Sequence, residues 1–298
     1  MTCCVAAICE MDEMIVTASD QKLDFGQFSV DGSTVKSEPI YPNWMMHISA
    51  TDLTALWPIF NYTKRILCAN LAEEMAQKKV GRSANKIRDA VREAYRTLMS
   101  QITEAQVLAP YGLNMEDFLR DGRTKFGDAL FKAICKRIER VRVGEFALLM
   151  SGFDPSKEAH LQTFEDDGVS RDWDAPGFAA VGSGSPSALD ILSFHSYNRM
   201  ASLEECVYRV CEAKFMAERA SGVGSKTFVY VFSAGPEEAN RKYVLESDTE
   251  EIKRAWQEAG CPRTPPGIIK KIPGMVLTFQ ESIKRAKEKS LTPSTSQM

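Results

Sequence analysis

The sequence predicts an α+β fold: two sheets with helices segregated onto their outer faces, and a C-terminal helical appendage. Three observations carry this expectation. Short apolar runs of strand length open the chain, and a long stretch of helical spacing follows from Asp52. Strands, helices and a last strand then recur in blocks, the pattern of segregated layers. No interdomain linker or solenoid repeat interrupts the first 235 residues.

Taken in order, CCVAAIC (3–9) and MIVTA (14–18) are apolar runs separated by the polar, tight EMDE, which predicts strand–turn–strand. A loop, DFGQFSVDGST, leads to two more short strands, VKSEPIYP and NWMMHISA, with Pro39 and Pro42 restricting the first. DLTALWPIFNYTKRILCANLAEEMA predicts a helix capped by Thr51 or Asp52, with Pro58 in its first turns or at a bend. SANKIRDAVREAYRTLMSQITEAQVLAP predicts a second, capped by Ser83 or Asn85 and stopped by Pro110. FGDALFKAICKRIERVR predicts a third after a short polar turn.

Strands return at EFALLMSGFD, HLQTFEDDG and GFAAVGSGS. SPSALDILSFHSYNRM and SLEECVYRVCEAKFMAERA then predict two helices, and TFVYVFSAG a strand between Gly224 and Gly235. From about 236 the tail predicts a helix (DTEEIKRAWQEAG), a proline-rich turn and a basic helical segment, with a disordered end at LTPSTSQM.

Composition excludes several classes. With 298 residues, 44% hydrophobic, 26% charged and a net charge of −3, the chain matches an ordinary globular protein and gives no support for nucleic-acid binding. No run approaches the roughly 20 apolar residues of a membrane span, and no secretory signal opens the chain, so cytoplasmic residence is expected. The 8 cysteines form no CxxC pair, which fits a reducing compartment, and Cys206 and Cys211 sit in a helical pattern as buried thiols. His47, His160 and His195 are too scattered for a metal-ligand pattern, and no metal, nucleotide or organic cofactor is expected.

The first two letters, Met1-Thr2, raise a chemical question. A threonine hydroxyl is a poor nucleophile unless a nearby amine takes its proton, and a free α-amino group of pKa roughly 8 does so near neutral pH. Loss of Met1, which the small second residue permits, would expose that amine on Thr2.

Four stretches in order, TCCVAAICEMDEMIVTASDQK, VKSEPIYPNWMMHISATDLTAL, GFAAVGSGSPSALDIL and MASLEECVYRVCEAKFMAERASGVGSKTFVYVF, resemble the N-terminal nucleophile hydrolases. The similarity is to the proteasome β-subunit superfamily, including the bacterial two-component protease peptidase and its proteasome-like relatives. The resemblance implies a four-layer αββα sandwich over residues 1–235, enlarged by a helical section at about 67–142, with 236–298 as an extension. It implies Thr2 as nucleophile, Lys36 as the ammonium beside it, and Asp20 as the carboxylate orienting that lysine, with Ser19 competing if the hairpin shifts by one residue. Ser183 matches the serine beside the terminal amine, and Ala50 the small residue whose N–H stabilises the oxyanion. It further implies assembly, with rings as the family form, and a peptide or amide as substrate; whether an unfoldase is a partner is left open by the residues.

Departures from the family pattern are visible. MHISATD replaces a glycine-rich turn, and Ala220 in ASGVGSKT stands about where many proteasome subunits carry an aspartate, although the bacterial two-component relatives also lack it. Each residue has a plainer role as well: Thr2 as a strand start, Lys36 as a solvated lysine, Asp20 and Ser183 as turn formers, His195 as a structural histidine. Cys3 and Cys4 are rival nucleophiles on chemistry alone, but neither becomes N-terminal by loss of Met1, and alternation puts them on opposite faces. The activity expected is a threonine-type amide or peptide hydrolase; the alternatives are a catalytically inactive ring subunit and a small-amide amidohydrolase.

Overall fold

The computed structural model describes residues 2–24, 29–31, 36–77, 81–235, 240–260, 264 and 266–291. The first hairpin joins β1 (Cys4–Cys9) to β2 (Met14–Asp20). Its turn is tight enough to force Glu10, Met11 and Asp12 to positive φ. A small ribbon, β3 (Lys22–Asp24) with β4 (Ser29–Asp31), stands where a loop is expected. β5 (Ser37–Tyr41) and β6 (Trp44–Ala50) follow, leading into α1 (Leu53–Leu67).

Asp52 caps α1 by accepting from the Ala55 amide at 3.1 Å, and Pro58 sits inside the helix. The expected single helix breaks at Cys68–Asn70, and α2 (Leu71–Ala76) continues it. α3 (Ala84–Thr103), capped by Ser83, ends in a π-turn over Glu104–Leu108. α4 (Met115–Ile138) starts eleven residues before the predicted Phe126, because Asn114 caps it at the Asp117 amide (2.7 Å); Gly127, at φ 68°, breaks it internally.

The second half brings β7 (Phe146–Phe153), β8 (Ala159–Glu165), β9 (Ser170–Asp172) and β10 (Phe178–Val181). Then come α5 (Ser185–Phe194), α6 (Leu203–Ala217) and β11 (Thr227–Ser233). The tail is not purely helical. It holds β12 (Arg241–Val244), α7 (Glu246–Ala259), α8 (Ile268–Lys271), β13 (Val276–Thr278) and α9 (Phe279–Leu291). Four- and three-residue strands carry too little period to be read in advance, and pairing with a neighbour makes them. The end LTPSTSQM lies outside the described residues apart from Leu291.

The fold is mixed α and β, with two antiparallel sheets. One runs β10-β1-β2-β11-β12-β13, the other β5-β6-β7-β8-β9. β1 is buried along its whole length, which explains why CCVAAIC lacks polar alternation. Cys4, Ala6 and Ile8 on one face pack with Met45, Leu149 and Leu161 of the other sheet. Val5, Ala7 and Cys9 on the opposite face pack with Val207, Val210 and Cys211 of α6. On the far face of the second sheet, Met46, Ile48 and Leu148 meet Leu56, Ile59 and Val91 of α1 and α3. None of the described helices is long and apolar enough to cross a membrane.

Ile8 is fully buried in the cluster shared by the two sheets. Ile8→Ala is expected to lower unfolding free energy by about 2–5 kcal/mol through lost transfer and a cavity, measured by denaturant titration.

Candidate active site

Thr2 is buried at the end of the first hairpin. Strand β1 begins at Cys4, and Thr2, 1% exposed, lies just before it. Antiparallel pairing sets Cys4 against Ser19, which brings the last residue of β2, Asp20, beside Thr2. Lys36, just before β5, reaches the same point from the other sheet; its own carbonyl is held by the Ile48 amide at 2.9 Å. All three side chains are buried.

The Thr2 hydroxyl donates to Asp20 Oδ1 and accepts from Lys36 Nζ at 2.5 Å. Lys36 Nζ also donates to Asp20 Oδ2 at 3.0 Å. Backbone amides complete the carboxylate: Cys3 N–H donates to Oδ1 at 2.9 Å, while Lys22 and Gly224 N–H donate to Oδ2, each at 3.1 Å. A fully buried carboxylate is tolerable only with its lone pairs filled, and here charged and neutral donors fill them. Chemically, the ammonium beside the hydroxyl oxygen favours its alkoxide form by charge.

Between the two candidates for the lysine's partner, the geometry separates Asp20 from Ser19. Ser19 faces the other way and accepts from Ser37 Oγ at 3.4 Å. Ser37 in turn contacts His47 Nδ1 at 2.6 Å, and His47 Nε2 lies 3.3 Å from Ser151 Oγ. Complete burial pushes His47 down to about 3, so this interior ring is neutral near pH 7.

Ser183 lies at the Thr2 peptide but contacts its carbonyl: the hydroxyl donates to Thr2 O at 3.5 Å and to Ser221 O at 3.4 Å. Gly184 N–H also donates to Thr2 O, at 3.4 Å. Gly182 makes this approach fit. At φ 98° it needs no Cβ, and one placed there would overlap Thr2 O and stand 2.6 Å from Ser49 Oγ.

Ala50 ends β6. Strand amides alternate sides, and Ile48 N–H points to Lys36 O while Thr51 N–H points to Glu145 O, 3.1 Å away. Ala50 N–H therefore faces the β5 side, just beyond the register position of Lys36. Ala50, Ser49, Gly182 and Ser183 line one wall of a cleft of about 490 Å³, with Glu145, Glu165 and Asp166 among its other lining groups.

The rival thiols are unfavourable nucleophiles. Both are fully buried, on opposite faces of the first strand; burial pushes Cys3 up to about 12 and Cys4 well above the ordinary thiol range. His195 pairs with the buried carboxylate of Glu212 at 3.1 Å. Among the described residues one group, Asp154, Glu158 and His160, gathers ligand-type atoms within 4.8 Å of one another. His160 Nδ1 lies 2.6 Å from Asp174 Oδ2, and that hydrogen bond raises the imidazole's pKa. Asp154 Oδ1 is taken by Ser156 and the Glu158 amide. The cluster braces His160 between the carboxylates of Asp154 and Asp174, which favours the protonated ring.

Sequence reasoning passed over Lys214, fully buried on α6. Its signal was available: it falls at i+7 of the buried stripe Val207, Val210, Cys211. Neither a protein-family model nor a curated protein matches the chain.

Gly182→Ala is expected to displace the Thr2 peptide and lower the melting temperature, measured by circular dichroism. The His160 brace sets a pH dependence. Because the folded pKa lies above the ordinary 6.5, its stabilisation is complete below 6.5 and fades as pH rises through the raised value. Melting temperature followed from pH 6 to 9 should therefore show a decline that His160→Gln flattens.

Proposed function

We propose that the chain is an N-terminal nucleophile hydrolase of the proteasome-like type, an αββα sandwich that cleaves amide bonds with Thr2 after removal of Met1. One observation supports it above the others: the Thr2 hydroxyl lies between the Lys36 ammonium and the Asp20 carboxylate at the buried start of the first strand. Helix clusters on the outer face of each sheet and a shared cluster between the sheets support the architecture.

In this mechanism the freed α-amine of Thr2 takes the hydroxyl proton, directly or through water. Thr2 Oγ1 then attacks the amide carbonyl carbon, and the carbonyl π electrons move onto oxygen. Lys36 favours the developing alkoxide by its charge, and Asp20 orients Lys36. The Ala50 N–H donates to the tetrahedral oxyanion, a type of contact worth roughly 3 kcal/mol. Collapse breaks the C–N bond as the α-ammonium returns its proton to the leaving amine. Water, activated by the same amine, hydrolyses the resulting ester and restores Thr2.

A small amide rather than a peptide is the second reading, favoured by the cleft of about 490 Å³ that opens beside Ala50 and Ser183 on the single chain. Self-association, as a ring in the proteasome-like form, belongs to the first reading and is checked by light scattering. An inert ring subunit would instead keep Met1.

Intact mass of the purified protein is expected to lack one methionine. Against a panel of peptide and small-amide substrates, Thr2→Ala should abolish turnover and Lys36→Met should lower kcat on the order of 100-fold or more. Retained Met1, or undiminished turnover in either variant, would overturn the mechanism.

A further inference from the structure

Asp20 is held from a direction that the proposed chemistry does not use. Gly224, in the turn between α6 and β11, donates its N–H to Asp20 Oδ2 at 3.1 Å, and its carbonyl accepts from Lys214 Nζ at 2.8 Å. Lys214 is fully buried, on the face of α6 where apolar side chains pack against the first sheet. Burying an ammonium costs several kcal/mol unless it is well partnered. Here the partners are the Gly224 carbonyl and Glu218 Oε1, 2.7 Å away and one helical turn on.

Glu218 is itself shared. Its Oε2 accepts from Lys253 Nζ, and Lys253 belongs to α7, in the C-terminal extension. The same ammonium lies 3.4 Å from Ser225 O, the residue after Gly224, and over the Phe215 ring at 5.6 Å from its centroid. Trp256 of α7 packs on Phe215 with ring centroids 5.6 Å apart, so the helix that carries Lys253 is seated by apolar contact. An unbroken series of polar contacts therefore runs from the extension to the carboxylate: Lys253, Glu218, Lys214, Gly224, Asp20.

We infer that Lys214 is a positioning residue for Asp20, and that the C-terminal extension sets this position through Lys253. The catalytic part of this inference rests on the function proposed above; the positional part does not. Gly224 can keep its N–H on Asp20 only while its carbonyl is held, and Lys214 holds it. Lys214 keeps its place because Glu218 balances its charge, and Lys253 fixes the Glu218 carboxylate. Losing the Gly224 donor frees one side of Asp20, the group that sets the Lys36 ammonium against the Thr2 oxygen. The effect falls on the chemical step rather than on substrate binding, since none of these side chains lines the cleft.

The test uses the full chain with Lys253→Met, which keeps the apolar stem and removes the charge, and Lys253→Arg, which restores it. Lys271→Met is the control, removing an exposed lysine of the extension that pairs with Glu251 at 2.9 Å and has no link to Glu218. Amide hydrogen exchange at Gly224 and steady-state kinetics are measured for each. In Lys253→Met, Gly224 exchange should quicken and kcat fall, each about tenfold, with KM within about twofold. Lys253→Arg should recover both, and Lys271→Met should change neither. Unchanged Gly224 exchange, exchange quickened equally through β1 and α6, or a rise in KM at constant kcat would overturn the inference. Should the wild type prove inactive with Met1 removed, the proposed function fails while Gly224 exchange still decides the positional claim.

Discussion

The buried carboxylate of Asp20 is the constraint around which the rest is arranged. It accepts from five donors, the Thr2 hydroxyl, the Lys36 ammonium and the amides of Cys3, Lys22 and Gly224. These come from the residues before β1, the start of β3, the approach to β5 and the turn before β11. A charge with no solvent must be neutralised and hydrogen-bonded on the spot, so the four segments have to converge. Few other side-chain positions would tie so many distant parts of the chain to one point.

Convergence of this kind needs a rigid frame. β1 and β2 are covered on both faces, so a one-residue slip would exchange the residues facing α6 with those facing the other sheet. That fixed register is what places Asp20, rather than Ser19, at Thr2. The same frame brings Gly182 against the Thr2 carbonyl, where only a residue without Cβ fits. In the interior, Ser37, His47 and Ser151 link strands beside Lys36 through a ring that burial keeps neutral.

Much of the architecture was legible because it depends on local period. Helical spacing after Asp52, the apolar runs around EMDE and the Gly-bounded strand at 227–233 all announce themselves. Legibility failed where an element is made by its partner. β12 and β13 exist through pairing with β11 and each other, and α4 starts early because Asn114 caps a segment whose polar composition resembles a turn. Lys214 was overlooked for a related reason: a helical lysine ordinarily faces water, and only the packing of α6 against the sheet reverses that.

By itself the sequence determined the block order of strands and helices and the apolar faces, because spacing and residue type are local properties; the candidate set Thr2, Asp20, Lys36, Ser183 and Ala50 came from the resemblance that its motifs carry. Tertiary structure decided which of these meet and through which atoms. It chose Asp20 over Ser19, put Ser183 on the Thr2 carbonyl, turned the Ala50 amide toward the β5 side, and joined the C-terminal extension to the carboxylate through Lys253 and Lys214. Those outcomes depend on register and on burial between elements far apart in the chain, which no local pattern encodes.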